Sequence, residues 1–195
     1  IARLMGHLYG DGWLSANPKQ AGFSGKKHPN DLEIIRKDLH AIGLSSSKIY
    51  SRKTISKIKT VSGKEAVVNG TSHSVTASVA VFNFFSKWGV PIGSKTNNKV
   101  LIPKWLMNAS KQEKAEFLAA LFGADGMAPS QSNKWGGDFN PIRFSFNKTE
   151  TLRSNGLGYA RQLKKLLSDF GVKVSQIKER EGNVRINGTK SIKLV

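Results

Sequence analysis

The sequence contains no cysteine, which excludes disulfide bonds, thiolate zinc sites and cysteine nucleophiles at once. It also contains no run of about 18 apolar residues, the length that a membrane-spanning helix needs. Acidic residues are scarce: 13 Asp and Glu stand against 31 Lys and Arg, so the 195-residue chain has a formal net charge of +18. Solubility does not require so large a charge, and it predicts a polyanionic partner, nucleic acid in preference to a membrane surface.

The location in the cell follows from the same observations. No secretory signal is visible, although the sequence begins at Ile1 inside an apolar helical pattern, so we expect further residues upstream. A nucleic-acid partner without a secretory signal predicts an intracellular protein, in the cytoplasm, the nucleoid or an organelle.

Two similar motifs occur, one in each half of the chain. They read "LMGHLYGDG" at 4–12 and "LAALFGADG" at 118–126, and each is an apolar helical run that ends in Gly or Ala, then Asp, then Gly. Ser110 and Glu113 form a Ser-x-x-Glu capping box, which predicts that the second motif helix begins there and ends near Ala124. A repeat of this size indicates two related halves.

The elements that follow each motif recur in the same order. Each half is predicted to contain a motif helix, two strands, a second helix and two more strands. In the first half these are a polar hairpin ending in "AGFSGKK" (21–27), a helix over 30–43, strands over 47–55 and 72–81, and a closing helix over 81–89. In the second half they are a strand over 141–148, a helix over 159–171, strands over 172–178 and 183–188, and the start of a closing helix at "TKSIKLV" (189–195).

This pattern predicts an α+β protein made of two pseudo-twofold-related αββαββ(α) halves. The first half spans 1–107 and includes a linker from about residue 90, since 90–105 carry two prolines and little periodicity. The second half spans 108–195, and we expect its closing helix to be missing.

Small residues occupy matched positions in the two motif helices. Gly6 corresponds to Ala120 and Gly10 to Ala124, and the four-residue spacing places each pair on one helix face. Only small side chains allow two helix backbones to approach closely. The motif helices are therefore predicted to pack against each other through these four residues.

Such packing would bring Asp11 and Asp125 together at the carboxyl ends of the two helices. Two carboxylates repel each other there and are also repelled by the helix dipoles, so the arrangement requires a cation. Oxygen ligands favour a hard divalent ion, Mg²⁺ or else Mn²⁺ or Ca²⁺. The backbone carbonyls of Gly10 and Ala124, which have no partner within the helices, would complete the coordination.

With these two motifs and this order of elements, the sequence resembles the LAGLIDADG homing endonucleases, specifically the monomeric members with two motifs. Tyr9 and Gly123 depart from the pattern, because the family often has an acidic residue there. The resemblance implies four-stranded, saddle-shaped antiparallel sheets on either side of the motif helices. It also implies an intron- or intein-encoded nuclease that binds double-stranded DNA at a long asymmetric target site and makes a staggered cut across the minor groove with Mg²⁺.

The resemblance implies further catalytic residues near the end of the second strand of each half. Aligning "FSGK" (23–26) with "FSFN" (144–147) places Lys26 opposite Asn147, with Lys148 one position later. These three residues are candidates for positioning water and neutralising charge.

DNA contacts are expected from polar residues that alternate with apolar ones along the strands, because one face of a sheet can read the major groove. The candidates for this reading face are Lys48, Tyr50, Arg52, Arg143, Ser145, Arg185 and Asn187. Further basic residues, expected to contact phosphates or flank the strands, are Lys53, Lys57, Lys59 and Lys173.

Two other functions fit the sequence. The same fold would serve an intron RNA maturase or a DNA-binding protein that does not cleave, and the charge alone would fit a basic structural protein that binds without sequence preference. The pair of aspartates favours the nuclease, because without a cation it only destabilises the fold.

Overall fold

The computed structural model describes residues 1–25, 29–59, 65–127, 130–131, 140, 142–179 and 189–194. Within these ranges the chain forms two antiparallel sheets and six α-helices, which confirms the predicted α+β class. No helix of the described residues is both long enough and apolar enough to span a bilayer.

The first part of the chain builds a four-stranded sheet in the order β1-β2-β4-β3. Helix α1 packs beside β1 and β2, while α2 and α3 pack on the core face of the sheet. The elements are α1 (Ala2–Tyr9), β1 (Trp13–Ala16), β2 (Lys19–Gly25), α2 (Pro29–Ala41), β3 (Tyr50–Lys59), β4 (Glu65–Ala77) and α3 (Val79–Lys87).

The second part builds a sheet of three described strands in the order β5-β7-β6, which matches the order β2-β4-β3 in the first sheet. The residues that would correspond to β1 lie between 127 and 142, mostly outside the described ranges. The elements are α4 (Lys104–Met107), α5 (Lys111–Asp125), β5 (Phe144–Thr149), a 3₁₀ turn (Glu150–Leu152), α6 (Arg153–Ser168), β6 (Ile177–Glu179) and β7 (Thr189–Leu194).

The predicted capping box is confirmed at the start of α5. The Ser110 hydroxyl accepts a hydrogen bond from the Glu113 amide, and the Glu113 carboxylate accepts one from the Ser110 amide at 2.9 Å. Both bonds satisfy amides that the first helical turn leaves without partners, and an acidic side chain there also complements the helix dipole.

The interpretation of 189–195 as the start of a helix is wrong. Thr189–Leu194 form β7, paired with β5 on one side and β6 on the other. Ile192 and Leu194 alternate with Ser191 and Lys193, and both apolar side chains are buried in the core. A two-residue period is typical of a strand with one buried face, and here it outweighs the expectation drawn from the repeat.

The strand predicted over 141–148 begins later than expected. Phe144 is buried and Phe146 is half-buried, as the alternation indicated, but Ile142 precedes β5 and its exposure is 52%. Ile142 is therefore not a core residue.

Candidate functional site

Helices α1 and α5 approach each other closely at glycine and alanine. A Cβ atom placed on Gly6 would lie 2.4 Å from the Phe117 carbonyl oxygen and 2.7 Å from the Ala120 Cβ. A Cβ on Gly10 would lie 2.5 Å from the Ala124 Cβ. Real carbon atoms do not approach so closely, so the two backbones can adopt this separation only because both α1 positions are glycine.

The close packing brings the two motif aspartates to one end of the helix pair. Asp125 is the last residue of α5, and Asp11 follows the Gly10 cap of α1. The Asp125 Oδ2 atom lies 3.7 Å from the point where a Cβ on Gly10 would stand. The carboxylate of one motif therefore borders the backbone of the other.

A third charged group, Lys95, lies at this place and was not among the predicted site residues. Its Nζ atom donates a hydrogen bond to the Gly10 carbonyl oxygen. Burial lowers the pKa of the Lys95 ammonium to about 8, and the carboxylates of Asp125 and Asp11 act in the opposite direction by favouring its charged form. Lys95 is therefore still mostly protonated at neutral pH, and it supplies a cation to the two carboxylates.

The position of Lys95 bears on the prediction that the Gly10 carbonyl oxygen binds a metal ion. That oxygen was predicted to have no partner and to bind a metal, whereas here it accepts the lysine hydrogen bond. The carboxylate oxygens of Asp11 and Asp125 are hard ligands and fit a hard divalent ion. In the described ranges no group of three or more His, Asp or Glu side chains converges as a metal site.

Lys95 lies in the irregular segment between α3 and α4, and this linker is fixed to both halves of the molecule. The Gly93 amide donates to the Leu14 carbonyl at 2.8 Å, which ties the linker to β1. The Val100 amide donates to Asn155 Oδ1, also at 2.8 Å, which ties it to α6. The site therefore has a lysine that neither motif contains.

Tyr9, one of the departures from the family pattern, also contacts the linker. Its hydroxyl lies 2.9 Å from the Gly89 carbonyl oxygen and 2.8 Å from that of Leu101. The ring stacks on Tyr159 of α6, with 6.2 Å between the ring centroids. A buried aromatic side chain with a satisfied hydroxyl suits this position, and an acidic side chain would not.

A cavity of about 250 Å³ opens beside Asp125, between the linker and β5. Asn147, predicted to position water, is half-buried and lines this cavity together with the aspartate. The polar side chains around it are Asp125, Asn147, Ser145, Lys95, Thr96 and Lys148.

Lys148 lies on the opposite face of β5 from Asn147. Its exposure is only 2%, and its ammonium donates to the carbonyl oxygens of Lys95 at 2.5 Å and Asn98 at 2.6 Å. Lys148 was a candidate for positioning water and neutralising charge, and in the structure its ammonium donates to the linker backbone.

A larger cavity, of about 560 Å³, opens beside Asp11 on the other side of the helix pair. Lys26, the candidate of the first half for positioning water and neutralising charge, lies outside the described residues. The polar side chains around this cavity are Asp11, His7, Ser24, Asp31, Arg3 and Glu116. The two aspartates therefore border different surroundings, with the linker lysine on the Asp125 side.

The second half of the chain carries a recognisable family signature. Residues 112–194 match the family model of the LAGLIDADG-like domain. The match includes Asp125, Asn147, Lys148, all of α5 except its first residue, and the whole of β5, α6, β6 and β7.

Nearly the whole chain is similar to segments of three archaeal proteins with unrelated names, all from Methanocaldococcus jannaschii. It is 35% identical to part of a tRNA-splicing ligase RtcB, over 99% of this chain and 21% of that protein. It is 29% identical to part of the DNA-directed RNA polymerase subunit Rpo1N, over 98% and 14%. It is 35% identical to part of the replication factor C small subunit, over 91% and 9%. The chain thus spans about a fifth or less of each relative.

Two solved structures are similar at low sequence identity. One is the homing endonuclease I-WcaI bound to its DNA recognition sequence, with a TM-score of 0.49, 14% identity and coverage of 98% of this chain and 73% of that one. The other is the N-terminal LAGLIDADG domain of DUF199/WhiA, with a TM-score of 0.45, 15% identity and coverage of 100% and 73%.

Several residues predicted to read DNA share the outer face of the first sheet. Strand pairing places Tyr50 opposite Ser74 and Arg52 opposite Ser72, on the face away from the buried Val75. Lys53 and Lys57 lie on the other face of the same hairpin and are exposed. Lys48 is exposed just before β3, and the backbone of Lys59 pairs with Glu65 at the hairpin end.

The second sheet presents a similar outer face. Ser145 is exposed on it, and Lys178 of β6, which was not among the predicted residues, shares that face through the register of β5, β7 and β6. The alternation of Lys178 with the apolar, half-buried Ile177 is the sequence pattern that could have identified it. Arg143 is exposed before β5 and Lys173 is exposed between α6 and β6, whereas Arg185 and Asn187 lie outside the described residues.

Proposed function

We propose that this chain is a site-specific homing endonuclease that cuts both strands of DNA with the help of a divalent metal ion, Mg²⁺ or a similar hard cation. The observation that carries the proposal is the convergence of Asp11, Asp125 and the Lys95 ammonium at the end of a tightly packed helix pair. The proposed enzyme is a monomer of the two-motif type that binds a long asymmetric duplex site.

The relatives support a mobile, intein-type origin. A ligase, an RNA polymerase subunit and a replication factor have no activity in common that would require the same segment, yet each contains one that is similar to this chain over nine-tenths of its length or more. A segment that encodes its own DNA endonuclease can spread among unrelated host genes. An endonuclease acting on genomic DNA also works inside the cell, where we expect this protein.

The chemistry proposed is hydrolysis of a phosphodiester in each strand. Water forms a bond to phosphorus while the bond from phosphorus to the 3′ oxygen breaks, which leaves a 5′ phosphate and a 3′ hydroxyl. A divalent ion held by the aspartates would lower the pKa of water and stabilise charge on the phosphate oxygens. Asn147 would orient water beside Asp125, and Lys95 would offset the negative charge that the carboxylates and the phosphate bring together.

The outer faces of the two sheets supply the DNA-binding surface in this proposal. Tyr50 and Arg52 on one sheet and Ser145 and Lys178 on the other would face the major groove. The proposal assigns phosphate contacts to the lysines on the remaining surfaces, which include Lys53 and Lys57.

The decisive experiment is selection from a library of randomised DNA duplexes in the presence of Mg²⁺, followed by sequencing of the cut ends. We expect enrichment of one long asymmetric site whose two strands are cut with a stagger. Retention of one duplex without cutting would indicate a DNA-binding protein that does not cleave. Preferential protection of intron RNA would indicate a maturase, and absence of any sequence preference would leave only the general affinity of a basic protein.

Binding to duplex DNA should be strongly sensitive to salt. With roughly ten phosphate contacts, the logarithm of the association constant should fall with a slope of about −9 against the logarithm of salt concentration, because each neutralised phosphate releases counterions. Fluorescence anisotropy with a labelled duplex at increasing KCl measures this slope. A flat response would contradict every nucleic-acid function considered for this chain.

A further inference from the structure

Lys148 is a buried charge whose side-chain stem packs against apolar residues. It continues the inner face of β5 beyond Phe144 and Phe146, and in the described ranges it is the one charged side chain that is fully buried. No ion pair between described residues includes it. Burial lowers the pKa of its ammonium to about 8, because the charged form loses solvation there.

Among the described residues, the side-chain hydrogen bonds of Lys148 go to one turn of the linker. The ammonium donates to the carbonyl oxygens of Lys95 and Asn98, which lie at the two ends of that turn. The amide of Thr149, the next residue in β5, donates to the carbonyl oxygen of Thr96 in the same turn at 3.2 Å. The end of β5 therefore holds the linker turn by a side chain and by the backbone.

The chain also makes room for the Lys148 side chain. A Cβ atom on Gly156 of α6 would lie 2.9 Å from Lys148 Cγ and 2.4 Å from Ile192 Cδ1. Glycine at this point lets α6 pack over the lysine stem. An apolar side chain of similar length would fill the same space without the cost of burying an ammonium, so stability alone does not account for the lysine.

We propose that Lys148 is a positioning residue: it holds the turn at 95–98 so that the Lys95 ammonium reaches the Gly10 carbonyl near the two motif carboxylates. In this arrangement the Lys148 ammonium fixes the linker backbone, and the Lys95 ammonium lies at the site. The consequence for cleavage rests on the proposed nuclease function, whereas the placement of Lys95 does not.

The placement is tested by NMR on protein labelled with ¹⁵N-lysine. Ammonium groups that are buried and hydrogen-bonded exchange slowly with water, so Lys95 and Lys148 should give separate Nζ signals, assigned by their loss in Lys95→Met and Lys148→Met. In Lys148→Met the Lys95 ammonium should become exposed, so its signal should merge with that of the exposed lysines. Lys95→Met should leave the Lys148 signal unchanged. An unchanged Lys95 signal in Lys148→Met would overturn the proposal.

The matched control is Lys164→Met, which removes one exposed lysine from α6 and should leave both buried signals unchanged. If Lys148→Met does not fold, Asn98→Ala decides the question. The exposed Asn98 side chain supports the turn by donating to the carbonyl oxygens of Ser94 at 2.9 Å and Ile92 at 3.1 Å. Its loss should shift the Lys95 signal, and an unchanged signal in a folded Asn98→Ala protein would likewise overturn the proposal.

Cleavage of the selected duplex then tests the consequence. Lys148→Met should lower the single-turnover cleavage rate by about 100-fold with little change in DNA affinity, the size expected when a catalytic group is displaced by about 1 Å. Adding Lys148→Met to Lys95→Met should cause no further loss, because both changes remove the same cation. Losses that multiply would contradict this arrangement of the two lysines. A wild-type protein that cuts no DNA would refute the nuclease function, and the NMR result on the placement of Lys95 would still hold.

Discussion

Replacing Asp11 or Asp125 with Asn should lower DNA cleavage by about a thousandfold or more, since each change removes charge stabilisation worth several kcal/mol. Duplex binding should be almost unchanged, because Asn has the same shape and the proposed binding surfaces lie on the sheets. Gel assays of supercoiled and linear DNA measure the rate and show whether one strand or both remain uncut. Fluorescence anisotropy measures the affinity of the same proteins.

Asp169→Asn is the matched control for these two variants. Its carboxylate pairs at 2.7 Å with Lys114, which lies near the opposite end of α5 from Asp125. This variant has the same change in charge and should cut at the wild-type rate. Full activity in both Asp11→Asn and Asp125→Asn would refute the proposed site, and a loss as large in Asp169→Asn would show that the effect is not specific to it.

Replacing Gly6 with Ala should lower the free energy of unfolding by about 3 kcal/mol, near the upper end of the usual cost of overpacking. The added carbon would meet the Phe117 carbonyl oxygen and the Ala120 Cβ, and backbone atoms of a packed helix cannot yield as a flexible side chain can. For a chain of this size the melting temperature should fall by about 6–12 °C. Thermal unfolding followed by circular dichroism measures the change.

Gly123→Ala, in the same helix pair, should have the opposite effect on the free energy of unfolding. A Cβ at Gly123 meets no atom within 4 Å, so the substitution only improves the helix propensity of α5. It should stabilise the protein by up to about 1 kcal/mol. If Gly6→Ala were as stable as Gly123→Ala, close contact between α1 and α5 would not hold the two motifs together.

Much of the candidate site could be predicted from the sequence because its parts are local patterns. The apolar spacing, the glycine that follows each aspartate and the Ser110 capping box define where the motif helices begin and end. The small residues four positions apart define the face through which the helices pack. Repetition of the pattern then indicates that the two carboxylates occupy equivalent places.

The misinterpreted elements show where local patterns compete. At 189–194 the order of elements in the first half indicated a helix, whereas the alternation of Ile192 and Leu194 with polar residues indicated a strand, and the strand formed. Lys148 was named as a candidate for positioning water and neutralising charge without regard to its face of the strand, whereas the alternation that buries Phe144 also points Lys148 inward. Both segments follow the two-residue alternation that buries one face of a sheet.

What the sequence by itself determined is therefore the pair of helix-end carboxylates, their need for a cation, and a basic chain suited to a polyanion. Only the tertiary structure decided that one such cation is Lys95 and that Lys148 holds the linker that carries it. The reason is physical: a helix or strand repeats its own geometry along the chain, so the spacing of apolar and polar residues indicates which of them share a face. A linker has no such period, and its path depends on hydrogen bonds to residues distant in sequence that only folding brings near.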